Sequence, residues 1–95
     1  MIWTLNLHKK ARRQIKKTNT DDRTLLRRSL LSLQNNPFTG DTKPVRSRKG
    51  VLRHRTGVWR IFFSVYLADK IIDVLEINRR SDTTYERGRG PIIEI

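Results

Sequence analysis

Residues 51–66 read VLRHRTGVWRIFFSVY, a run dense in β-branched and aromatic residues and punctuated by Arg53, Arg55 and Arg60. Side chains two apart on a strand share a face. Arg53 and Arg55 therefore project together, and Arg60 can join them if a turn at Gly57 folds the next strand back alongside. Beyond that turn, Trp59, Ile61, Phe63 and Val65 form an apolar face suited to a core, while Arg60, Phe62, Ser64 and Tyr66 take the other. Converging guanidiniums pack poorly but cradle phosphate well, because each planar fork donates paired hydrogen bonds to its oxygens. The pattern implies recognition of an RNA or DNA backbone; the competing reading is a solvated, decorated sheet face.

The flanking sequence supplies the layer that covers the apolar face. Trp3, Leu5 and Leu7 alternate with Thr4, Asn6 and His8, which predicts an N-terminal strand with one buried side. From Lys9 to Lys17 the period becomes helical, with Ala11 and Ile15 inward. Asn19 or Thr20 caps a second helix, whose first turn carries Asp21 and Asp22 at the positive end of the dipole. Leu26, Leu30 and Leu33, widened by Leu25 and Leu31, give it an apolar stripe that ends at Asn35-Asn36-Pro37. Pro37, Gly40, Pro44 and Gly50 then break both periods, leaving room for a short strand around Val45 and Arg46. Strands over 58–67 and 71–77 are joined by Ala68-Asp69-Lys70. The reading is an α+β fold: an N-terminal strand, a two-helix hairpin, then a three- to four-stranded antiparallel-rich sheet with an open basic face. One domain over residues 1–95 is expected, with 88–95 as a flexible tail.

Composition narrows the partners. Lys plus Arg number 21 against 9 Asp plus Glu, a formal net charge of +12, and the sequence pI is near 11.3. A polyanionic partner follows. No apolar run approaches the ~20 residues of a membrane span, and Met1 to His8 is too short and polar for a secretory core. A cytoplasmic location is expected. With no cysteine there is no disulfide or thiolate chemistry. His8 and His54 lack metal-ligand spacing, Glu76 has no carboxylate partner, and no cofactor is expected.

In this order the landmarks resemble a family: Lys9-Lys10-Ala11, Leu33-Gln34-Asn35-Asn36-Pro37-Phe38, Lys43-Pro44-Val45-Arg46, Arg53-His54-Arg55-Thr56-Gly57-Val58-Trp59-Arg60-Ile61, and Asn78-Arg79-Arg80 leading to Tyr85. Across nearly the whole chain the sequence is similar to the RelE/ParE toxins of prokaryotic toxin-antitoxin systems, and in particular to the RelE branch. The resemblance implies a messenger RNA endoribonuclease that acts on the ribosome without metal and is neutralised by a cognate antitoxin. It places Arg53, Arg55 and Arg60 in the catalytic cluster, with Arg80, or in its stead Arg79, as the arginine after the last strand and Tyr85 as the C-terminal tyrosine. Lys43, Arg46, Arg48, Lys49 and Arg79 are candidate contacts to RNA.

Cleavage of this kind requires the ribose 2′-hydroxyl to lose a proton and attack phosphorus while the 5′-oxygen leaves. Arginine stays cationic at neutral pH, so Arg53, Arg55, Arg60 and Arg80 stabilise charge and move no protons. Tyr85 is the candidate base, since neighbouring guanidiniums favour its phenolate; stacking on a nucleobase is its other reading. Alternation turns His54 to the opposite face. Two other functions fit a basic chain of this outline: a ParE-like inhibitor of DNA gyrase, and a noncatalytic nucleic-acid-binding module.

Overall fold

Gly57 turns the chain with φ +58°, joining strands at Leu52–Thr56 and Trp59–Tyr66 as the alternation requires. The computed structural model describes residues 2–79; the expected tail over 88–95, Arg80 and Tyr85 lie outside them. In chain order the elements are β1 (Thr4–Leu7), α1 (Lys9–Lys16), α2 (Thr20–Asn35), β2 (Asp41–Pro44), β3 (Leu52–Thr56), β4 (Trp59–Tyr66) and β5 (Ile71–Arg79). The strands form one sheet in the order β1-β5-β4-β3-β2. β1 pairs with β5 in parallel, and the other pairings are antiparallel.

The α+β expectation holds, with four strands after the helices. Asn19 is the cap of α2, its Oδ1 accepting from Asp22 N–H at 2.8 Å. The expected strand around Val45 and Arg46 forms earlier, at Asp41–Pro44. Val45 N–H bonds Val51 O, and the chain between them turns back on itself. Pro44, lacking an N–H, is tolerated because β2 is an edge strand.

Leu26, Leu30 and Leu33 of α2 meet Trp59, Ile61 and Phe63 of β4 and Ile72, Val74 and Ile77 of β5 in one apolar cluster, with Trp3 and Ala11. The apolar positions of β5 break strict alternation, and a bulge explains it. Phe62 pairs with Glu76 but Phe63 with Val74, so Leu75 is an extra residue. The bulge shifts the pleat by one. Ile72, Val74 and Ile77 can then all face the helices, while Asp73, Glu76 and Asn78 share the opposite face.

Where β1 ends, α1 continues along the edge of β5. Gln14 Oε1 accepts from Ile77 N–H at 2.7 Å, and its Nε2 donates to Asn78 Oδ1 at 3.2 Å. A helix side chain thereby completes the hydrogen bonding of a strand edge that β1 is too short to reach. No helix among the described residues is long and apolar enough to cross a membrane.

Candidate nucleic-acid interface

The sheet face opposite α2 is organised as two rows of directly paired residues. One runs Asp41, Arg55, Arg60, Asn78 and the other Lys43, Arg53, Phe62, Glu76, each from β2 through β3 and β4 to β5. Paired residues in such rows are about 5 Å apart at Cα. The three arginines singled out by alternation are brought together.

Arg55 and Arg60 stand directly opposite each other, an arrangement of like charges that disfavours the fold. Asp41 offsets part of this repulsion. Its Oδ2 accepts from Arg55 Nε at 3.0 Å, and its Oδ1 lies 3.8 Å from Arg53 Nη2. The hydrogen bond from Arg55 holds the Asp41 carboxyl below its ordinary pKa; desolvation opposes this, and the charges of Arg55, Arg53 and Lys43 reinforce it. Arg53 Nε is buried and donates to no acceptor among the described residues.

Glu76 is the counter-charge at the other end of the second row. Lys10 Nζ donates to its Oε1 at 3.2 Å, Asn78 Nδ2 to its Oε2 at 2.8 Å, and Arg48 Nη1 lies 3.9 Å from Oε2. Partial burial pushes its pKa up, but the bonds from Asn78 and Lys10 and the charges of Lys10 and Arg48 outweigh this and hold it low. Lys10 and Gln14, one helical turn apart on α1, thus serve the ends of the two rows. Arg48, in the loop between β2 and β3, reaches back so that its guanidinium lies over the Phe62 ring, 5.5 Å from the centroid.

Other sequence candidates lie elsewhere. Arg79 stacks its guanidinium over Trp59, 5.4 Å from the centroid; since Trp59 faces the core, Arg79 is separated by the sheet from Arg53, Arg55 and Arg60. Arg46 and Lys49 border an apolar groove with Phe38, Val65 and Leu67. His54 is buried on the helix side, its Nδ1 2.8 Å from Thr42 Oγ1. The Thr42 hydroxyl donates its one proton to Thr39 O at 2.6 Å, so Nδ1 carries the histidine proton and donates. Burial lowers the His54 pKa, against the opposing effects of the Thr39 backbone and the Asp41 charge. Sequence reasoning put Phe62 on the face of Arg60 without giving it a role, and did not single out Asp41, Glu76 or Asn78 for the site. Alternation could have placed Asp41, whereas Glu76 and Asn78 needed the bulge.

This five-stranded mixed sheet with two helices is the fold of RelE toxins. The structure superposes on RelE in the archaeal RelE–RelB complex from Pyrococcus horikoshii with a TM-score of 0.76 and 19% identity, covering 87% of this chain and 100% of that one. The RelBE2 toxin–antitoxin complex of Mycobacterium tuberculosis gives 0.76 and 21%, over 86% and 95% of the two chains. Isolated E. coli RelE gives 0.72 and 14%, over 85% and 87%. A search of curated proteins finds no match to the sequence. The family model described as the ParE toxin of type II toxin-antitoxin system, parDE, matches residues 2–84. The chain belongs to this family, and is a toxin of the RelE/ParE superfamily.

Proposed function

We propose that this toxin is an endoribonuclease that cleaves messenger RNA on the ribosome and so halts translation. The observation that carries the reading is the direct pairing of Arg55 with Arg60 beside Arg53, on the sheet face opposite α2. A facing pair of like charges beside a third arginine suits a site that an anion occupies during function. A phosphate arriving there exchanges Asp41 for a dianionic transition state, and the buried Arg53 Nε supplies a donor already stripped of water.

In the reaction, the 2′-oxygen bonds to phosphorus, its proton passes to the base, and the bond from phosphorus to the 5′-oxygen breaks. The products are a 2′,3′-cyclic phosphate and a 5′-hydroxyl, whose proton comes from a general acid or water. Arg53, Arg55 and Arg60 neutralise the phosphorane charge. Tyr85 and Arg80 enter as proposals through the resemblance, as the base and a further cation. The arginines supply the electrostatic role that a metal ion would otherwise fill.

The same family membership favours a second reading, since the matching family is named for ParE: inhibition of DNA gyrase, with no chemistry of its own. Purified toxin incubated with programmed ribosomes, and in parallel with gyrase and relaxed plasmid, separates the two. New messenger ends with supercoiling intact support the nuclease; the reverse supports the gyrase inhibitor. Salt-sensitive RNA binding with neither effect leaves a noncatalytic module. In either toxin reading we expect a cognate antitoxin whose acidic or amphipathic segment covers the cationic face.

A further inference from the structure

Phe62 is an aromatic ring set among cations on a face where no apolar contact from α2 requires one. We propose that it is a stacking platform for one unpaired nucleobase of the bound RNA, with Arg48 as the movable cover. This deepens the nuclease reading and rests on it.

The ring lies directly between Arg53 on β3 and Glu76 on β5, in the row beside the Arg55–Arg60 pair. A phosphate held by Arg53 and Arg55 therefore has an aromatic π-face within one nucleotide's reach. Bases of single-stranded RNA bind by stacking on such rings while arginines hold the backbone. The guanidinium of Arg48 already occupies the stacking position, 5.5 Å from the centroid. A base needs the ring face that Arg48 covers, so Arg48 has to move outward to admit one. Two contacts oppose that movement: the cation–π contact itself, whose place on the ring the base takes over, and a long ionic contact, 3.9 Å to Glu76. The loop backbone need not follow, because Arg48 N–H to Val45 O and Val51 N–H to Arg48 O fix it. The base is thus received between a hydrocarbon face and a guanidinium plane, which suits any base and selects for one that is unstacked.

The test uses the full chain and a short 2′-O-methyl oligoribonucleotide, which cannot be cut, against the same oligomer with abasic positions. Phe62→Trp places a fluorophore at the platform, while Phe62→Leu keeps the apolar volume without the π-face. The proposal expects the emission that Phe62→Trp adds to that of Trp3 and Trp59 to be quenched by the base-bearing oligomer alone. It also expects Phe62→Leu to bind that oligomer about ten-fold more weakly while abasic binding is unchanged. Equal binding of both oligomers by the wild-type chain, with no quenching in the fluorescent variant, overturns the platform and leaves RNA recognition standing. Failure of the wild-type chain to bind either oligomer at low salt also overturns the platform, while cutting on programmed ribosomes decides the nuclease reading separately.

Discussion

Asp41 and Arg55 face each other across the β2–β3 ladder, and the Arg55 Nε proton is committed to Asp41 Oδ2 at 3.0 Å. On the nuclease reading proposed above, Asp41 competes with the phosphate for Arg55. Replacing it with a neutral isostere, Asp41→Asn, should tighten binding to single-stranded RNA by about two- to five-fold at low salt, the scale of an exposed ion pair. Titration of fluorescent RNA at two salt concentrations reads this. Weaker binding by the variant would assign Asp41 a positioning role instead. Because the Asp41 pKa is depressed, its pairing holds above the ordinary carboxylate range and is lost as pH falls through the lowered value, so both chains should bind alike only in strong acid.

Gln14 stands in for a missing strand. Gln14→Ala leaves the Ile77 N–H without its acceptor, which should cost about 1–3 kcal/mol in urea unfolding. Gln14→Glu retains that acceptor and loses the donor to Asn78, so it should recover much of the stability. Equal losses in the two variants would contradict the role given to Oε1.

Phe63 is fully buried at the centre of the core. Phe63→Ala should destabilise by about 3–5 kcal/mol with little change in denaturant dependence. Phe62, the preceding residue but on the opposite face, should show a far smaller loss on truncation, and comparable losses would contradict the assigned faces.

His54, buried on the helix side, is expected to contribute to stability and not to the proposed chemistry. Its pKa is lowered by burial, so the folded chain holds it neutral while the unfolded chain takes up a proton. That contribution is fully present above about pH 6.5 and diminishes as pH falls below this value toward the lowered one. His54→Gln should flatten the dependence of unfolding free energy on pH across this window and leave the rate of cutting at neutral pH within about two-fold. A large loss of activity with unchanged stability would place His54 in the site. Gly40 enforces the same packing: at φ +66° its missing Cβ would lie 3.0 Å from His54 Cε1.

The layer order, both helices and the two faces of β4 are legible in the sequence because they follow from periodicity, which is local. Three features are not. The bulge at Leu75 is a pairing property: nothing in Ile71–Arg79 alone says which residue is extra until Ile61, Phe62 and Phe63 set the register. The destinations of the loop cations depend on side-chain reach, so Arg48 arrives over Phe62 while Arg46 and Lys49 border an apolar groove. Arg79 reads in the sequence as a charge for RNA, yet the pleat turns it onto Trp59. Arg53, Arg55 and Arg60 are found because two-residue spacing and a single glycine turn are enough to gather them.

The central claim is that the Arg53, Arg55 and Arg60 cluster lowers the barrier to breaking an RNA phosphodiester. The direct measurement is single-turnover cutting of messenger RNA on programmed ribosomes, with product ends analysed, for the wild-type chain and Arg60→Ala. The account predicts 2′,3′-cyclic phosphate ends from the wild-type toxin and about a 100-fold slower rate from the variant, the scale of losing one transition-state donor. An unchanged rate in Arg60→Ala, or no cut ends from the wild-type toxin alongside inhibited supercoiling, would contradict it.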